Sequence, residues 1–258
     1  VPSAARSVDP SVLAALAGRV RPAGADATDR LLPLDDAFAD LVPRAGLQRG
    51  LTVAVDGVGA TTLALGLVAA ASRAGSWVAT VVPAGGSLPV GVEAAERAGV
   101  DPARFVVVDP VPADRWAETV AALVEGVDVV LLVAPPPTAA PPAGRIRRLL
   151  ARARERGAVL VPVGWAAAGW PDRADLVVRA VPDRAAGPGG WQGIGVGHGT
   201  LLARRVEVVV QGRRAAAAPR SGVLWLPGPD GRVAGDGRPT LRSVPAPGAA
   251  GAGAPVAS

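Results

Sequence analysis

The residues of this chain best placed to do chemistry lie in Val53–Leu65, VAVDGVGATTLAL. A strand-like run breaks at Asp56-Gly57, turns through Gly59, and restarts as a helix from Thr61-Thr62-Leu63. That is the layout of a phosphate-binding loop, in which backbone N–H groups cradle phosphates, a lysine reaches the β/γ oxygens and a Ser/Thr hydroxyl holds magnesium. With Thr61 on the hydroxyl position, Gly59 takes the glycine before the lysine and Ala60 takes the lysine itself. The first glycine of the motif falls on Ala54, inside the strand, so the loop is also too short to wrap a triphosphate. Gly57, Gly59, Ala60, Thr61 and Thr62 form a degenerate loop whose helix N-terminus could still face an anion. The plainer alternative is a tight strand-to-helix connection without a ligand. Asp56 favours that alternative, because its carboxylate can cap the helix and would repel a phosphate.

Other chemistry is sparse. The chain has no cysteine and a single histidine, His198, which excludes disulfides, thiolate metal sites, multi-histidine metal sites and most histidine-based acid–base schemes. His198 sits between two glycines with no Ser or Cys partner beside it, and reads as a turn residue. The helix GRIRRLLARARER is more informative. Ile146, Leu149, Leu150 and Ala153 form a buried stripe, while Arg145, Arg148, Arg152 and Arg156 recur at three- and four-residue spacing away from it. Only Glu155 offsets them, so this face could hold a DNA backbone or an acidic partner. A solvated outer helix in an arginine-biased chain explains it as well. Trp165 and Trp170 in a short loop, and Trp225 in WLPGP, are candidate anchors for a protein partner. Trp77 and Trp116 read as core or helix–sheet contacts. Period-two alternation sends Arg204 and Arg205 to opposite faces, so the late arginines need not form one patch.

The elements that position these residues alternate. Strand Leu51–Val55, helix Thr61–Arg73, strand Trp77–Val82, helix Gly91–Ala98 and strand Phe105–Val108 come first. Helix Ala113–Glu125, strand Val127–Val133, helix Gly144–Arg156 and strand Ala158–Val163 follow. Strands without polar alternation, separated by helices, predict a parallel sheet covered on both faces, an α/β fold. After Trp170 the rhythm changes: Leu176–Val181, Trp191–Val196, Leu201–Gln211 and Val223–Leu226 read as successive strands, extending the sheet with an antiparallel C-terminal half. Residues 1–30 read as an N-terminal helix (Val8–Val20, behind Asp9-Pro10) and linker, 31–233 as the core domain, and 234–258 as a flexible Gly/Pro/Ala-rich tail. Within the core, Leu31–Val42 reads as partly helical and Gly46–Gly50 as a turn.

Net charge is +5, and all 27 basic side chains are arginine. With so much Ala, Gly, Pro and Val, this looks like coding bias, and it is weak evidence for nucleic acid. Residues 1–8 lack a signal-peptide layout, and Pro, Gly or Arg interrupts every long apolar run, so a cytoplasmic protein without a membrane segment is expected.

The stretches GLQRGLTVAVDGVGATTLAL (Gly46–Leu65), GVDPARFVVVDP (Gly99–Pro110) and VDVVLLVAPPPTA (Val127–Ala139) resemble, in order and spacing, the core of the RecA recombinase family, over Leu31–Arg214. The resemblance implies a RecA-like core with a mainly parallel sheet flanked by helices. It places the Walker B aspartate on Val133 and the catalytic glutamate on Pro83-Ala84-Gly85, where no carboxylate stands. With the lysine position also vacant, it implies a catalytically inactive protein with no cofactor and no metal. The long DNA-contacting loop of that family is replaced by Trp165–Asp172. The segments GVGHGTLLARRVEVVVQGRR (Gly195–Arg214) and VLWLPGPDGRV (Val223–Val233) are similar to the actinobacterial ImuA-like mutasome accessory proteins. That similarity implies a scaffold in translesion synthesis, with an ImuB-like Y-family polymerase relative as partner and, through it, an error-prone replicative-type polymerase. Weak DNA contact and self-association are left open. The alternatives are an unusual nucleotide-binding protein, a DNA-binding or RecA-modulating module using the arginine helix, and a SulA-type cell-division inhibitor.

Overall fold

A computed structural model describes residues 31–85, 91–133, 141–164, 174–183, 190–192, 200–212 and 219–236. The predicted N-terminal helix, the tail beyond Asp236, Trp165, Trp170, His198, Arg213 and Arg214 lie outside the described residues. The chain opens with a two-stranded antiparallel hairpin of β1 (Leu31–Pro33) and β2 (Gly46–Gln48). Two short 3-10 turns, Asp36–Phe38 and Pro43–Ala45, lie between them. Gly46–Gln48 is thus a strand and not the expected turn; Leu47 and Phe38, both fully buried, fix the hairpin against the core.

The main run follows as β3 (Val53–Gly57), α1 (Ala60–Arg73), β4 (Val78–Pro83), α2 (Val92–Arg97), β5 (Phe105–Val111), α3 (Trp116–Gly126), β6 (Val129–Val133), α4 (Ala143–Arg156) and β7 (Val159–Val163). Each expected element of this half is present, with ends displaced by a few residues. Next come β8 (Leu176–Pro182), β9 (Gly190–Gln192), β10 (Thr200–Ala203), β11 (Arg205–Gln211), β12 (Arg220–Trp225) and β13 (Ala234–Gly235). One sheet carries nine strands in the order β5-β4-β6-β7-β3-β8-β11-β12-β13. From β5 to β8 all neighbours are parallel, and from β8 to β13 all are antiparallel. The apolar strands β4, β6 and β7 are buried along their whole length, as central parallel strands must be. In β11 burial alternates, which marks the antiparallel half as covered on one face.

One expected strand divides in two. Leu201–Gln211 breaks at Arg204: β10 pairs with β9 in a separate two-stranded sheet, while β11 joins the main sheet. The break is tertiary. The Arg204 amide donates to the Pro227 carbonyl (3.1 Å), and the Arg204 carbonyl accepts from the Leu226 amide (2.6 Å), so the chain is held across the hairpin at that residue.

The core lies on the two faces of the sheet. Helix α1 covers one, with Leu63, Leu67 and Val68 fully buried over Val53, Val55 and Val161. Helices α3 and α4 cover the other, with Trp116, Val120, Leu149 and Leu150 over Ala79, Val81, Val130 and Leu132. Each large apolar side chain so buried stabilises by about 1.5–3 kcal/mol before its entropy cost. Polar ties secure the amino-terminal ends of the parallel strands. Asp128 accepts from Arg49 (2.6 Å) and from the Trp77 amide (2.8 Å), and buried Asp175 accepts from the Thr52 amide (3.0 Å).

Candidate functional site

In an open parallel sheet ligands meet the carboxyl ends of the strands, and here that edge is formed by Gly57, Pro83, Val133 and Val163. The degenerate loop is therefore in the place where phosphate chemistry would occur, and its detailed geometry decides what it can do.

Gly57 has φ +92, and a Cβ there would run into the Ala180 carbonyl oxygen of β8. That same oxygen accepts from the Val58 amide (3.0 Å), so one of the loop donors is already engaged by the sheet. Gly57 is therefore required by the close passage of β3 against β8. Gly59, with φ +67, is the N-cap of α1, and no side chain caps that helix. This corrects the expectation for Asp56, whose carboxylate lies 3.4 Å from Arg179 of β8, opposite it in register, instead of folding onto the helix. Ala60, 9 % exposed, is the first residue of α1, and Thr61 and Thr62 beside it are half-buried.

Sequence reasoning did not foresee what lies over this loop. A Cβ on Gly59 would be 2.5 Å from Nη2 of Arg204 and 3.3 Å from the Leu226 side chain. The arginine that splits β10 from β11 thus lays its guanidinium on the glycine of the degenerate loop. Its Nε is buried without a hydrogen-bond partner, and burial lowers its pKa from the ordinary arginine value. An arginine of this kind remains cationic at neutral pH. Arg205 parts from it, because the strand breaks between them: it pairs with Asp236 (2.7 Å) and Asp183 (3.7 Å) and stands over the Trp225 ring at 5.9 Å. Trp225 is half-buried and engaged by that cation.

The other implied positions lie on the same edge and carry no acid. Val133 ends β6 with its side chain in the core, 3 % exposed. After β4, Pro83 is buried and Ala84 donates its amide to the Val111 carbonyl (2.8 Å). Asp56 at the end of β3 and Asp183 just past β8 both face arginines. Among the described residues no three His, Cys, Asp or Glu side chains gather as a metal site, and no helix is long and apolar enough to cross a membrane.

The arginine face lies elsewhere, on the outer side of the α3–α4 layer, and it is not a uniform row. Glu125 of α3 binds both Arg152 and Arg156, the latter at 2.7 Å. The expectation that only Glu155 offsets these charges is thereby corrected, the acid coming from a neighbouring helix. Arg154 lies 3.6 Å from Asp175. Arg145 and Arg148 are exposed and have no carboxylate at ion-pair distance among the described residues.

Comparison with known proteins agrees with this architecture. A family model, the MT3502 N-terminal domain, matches residues 40–172, just over half of the chain. Among solved structures, a crystal structure of the RadB recombinase superposes with a TM-score of 0.50 at 14% identity, covering 73% of this chain and 92% of that one. At that identity the likeness is one of fold, and the fold is RecA-like. No curated protein sequence matches the chain.

Proposed function

The chain belongs to the MT3502 N-terminal domain family, and from that premise we propose that it is a RecA-fold accessory protein that binds partners and does not hydrolyse nucleotide. One observation carries the reading: Ala60 stands at the lysine position of a loop whose glycines serve the β3–β8 crossing and the packing of Arg204. Val133 and Pro83-Ala84-Gly85 add no carboxylate to hold magnesium or orient water. Each absent group ordinarily supplies electrostatic stabilisation worth orders of magnitude in rate, so their joint loss supports an inactive core. The resemblance of Gly195–Arg214 and Val223–Val233 to ImuA-like proteins supports a cytoplasmic scaffold of the translesion-synthesis mutasome. Its partner is then an ImuB-like polymerase relative and, through it, an error-prone polymerase. The test is co-purification of the full chain with an ImuB-like protein, repeated without residues 1–30 or without everything after Asp236. The second cut is placed there because Val233 packs on Gly66 of α1 and must be kept. A stable complex supports the scaffold; its absence with the full chain refutes the mutasome assignment.

A second reading, retention of an anion without turnover, is favoured by the Arg204 guanidinium lying beside an α1 N-terminus that no side chain caps. Calorimetric titration with ATP and with pyrophosphate separates the two. Saturable heat that is lost in Arg204→Ala supports retention, and no heat removes it.

A further inference from the structure

We propose that the groove between α3 and α4 is the docking site for an acidic, helix-forming segment of a protein partner. The groove is a shallow depression open to solvent, about 330 Å³ in volume, lined by Ala117, Glu118 and Ala121 of α3 and by Arg145, Arg148, Leu149 and Arg152 of α4. Ala117, Ala121 and Leu149 supply its apolar lining, and its α4 wall carries Arg145 and Arg148 one helical turn apart, roughly 5 Å at 1.5 Å per residue, with Arg152 beyond them paired to Glu125. Two carboxylates three or four residues apart on a bound helix match that pair of arginines, and small apolar side chains from the same helix fit beside Ala117 and Ala121.

Charge decides the class of occupant. Glu125 takes Arg152 and Arg156, and Glu118 lines the groove itself, so among the described residues the cations left without an acid there are Arg145 and Arg148, with Arg147 on the flank. Two or three free cations beside a carboxylate are a poor track for a phosphate backbone, whose binding rests on several neutralised phosphates. They suit a short acidic segment, where charge sets the register and apolar contact adds affinity. Both arginines are exposed on a helix whose opposite face is buried, so replacing them leaves the core intact.

This inference gives the scaffold reading a surface and rests on that reading. The experiment titrates the full chain into a fluorescein-labelled helical peptide with glutamates at three- and four-residue spacing and alanine and leucine alongside, read by anisotropy. Saturable binding is expected, weakened at least tenfold in the double variant Arg145→Ala/Arg148→Ala and unchanged in Arg97→Ala, an exposed arginine of α2 away from the groove. No saturable binding, or binding indifferent to the double variant, overturns the proposal. Displacement of the peptide by oligothymidylate at lower concentration also overturns it, and gives the face to nucleic acid. Co-purification with the ImuB-like protein is scored separately. A complex that survives the double variant sinks the groove alone, whereas no complex despite peptide binding sinks the named partner alone.

Discussion

Gly57→Ala separates a glycine kept for the sheet from one kept for a phosphate. At φ +92 an alanine sits in the left-handed region, which costs about 1–2 kcal/mol for an L-residue. Its Cβ also meets the Ala180 carbonyl, a backbone atom of β8 that cannot swing aside as a side chain would. Overpacking of that kind adds about 1–3 kcal/mol, for a total of about 2–5 kcal/mol, a large share of the 5–15 kcal/mol typical of a domain. Gly75→Ala is the internal control. It has a similar φ of +99 just past the end of α1, with nothing within 4 Å of the added carbon, so it shows the backbone cost alone, about 1–2 kcal/mol. Urea unfolding followed by the fluorescence of the six tryptophans gives both numbers, provided the slopes agree. Gly57→Ala is expected to unfold more easily than Gly75→Ala by about 1–3 kcal/mol. Equal losses would refute the assignment of Gly57 to the strand crossing.

Two further outcomes are expected. Ala60→Lys, which restores the missing lysine, leaves ATP turnover at the wild-type level, because Val133 and Ala84 still supply no carboxylate; a tenfold rise in phosphate release would contradict this. Asp128→Ala lowers stability by about 1.5–3 kcal/mol in the same unfolding assay, since it leaves Arg49 and the Trp77 amide without that carboxylate, and Asp128→Asn recovers part of the loss.

The parallel half of the fold was legible because its strands are uninterrupted apolar runs and its helices keep a 3.6-residue period, both of which are local signals. The defects of the loop were equally legible, since Ala54, Ala60 and Val133 are simply the wrong residue types. What escaped was non-local. Leu201–Gln211 has no Gly or Pro to announce a break, and the break at Arg204 depends on bonds to Leu226 and Pro227 on another strand. The Gly-x-Gly pattern suits a ligand or a close backbone passage equally, and only Ala180, in a strand far along the chain, decides between them. Asp56 precedes a helix, as a capping residue does, yet register places Arg179 opposite it. The arginine stripe of α4 was visible as a stripe, but its neutralisation by Glu125 depends on how two helices pack. Gly46–Gln48 reads as a turn in the sequence because three residues beside glycines carry too little pattern to declare a strand.

The most direct test of the account is ATP turnover by the purified full chain, with magnesium and with or without single-stranded DNA. The account predicts phosphate release no faster than in buffer under either condition. Saturable turnover that disappears in Thr61→Ala would contradict it, and would return the loop from Gly57 to Thr62 to nucleotide chemistry.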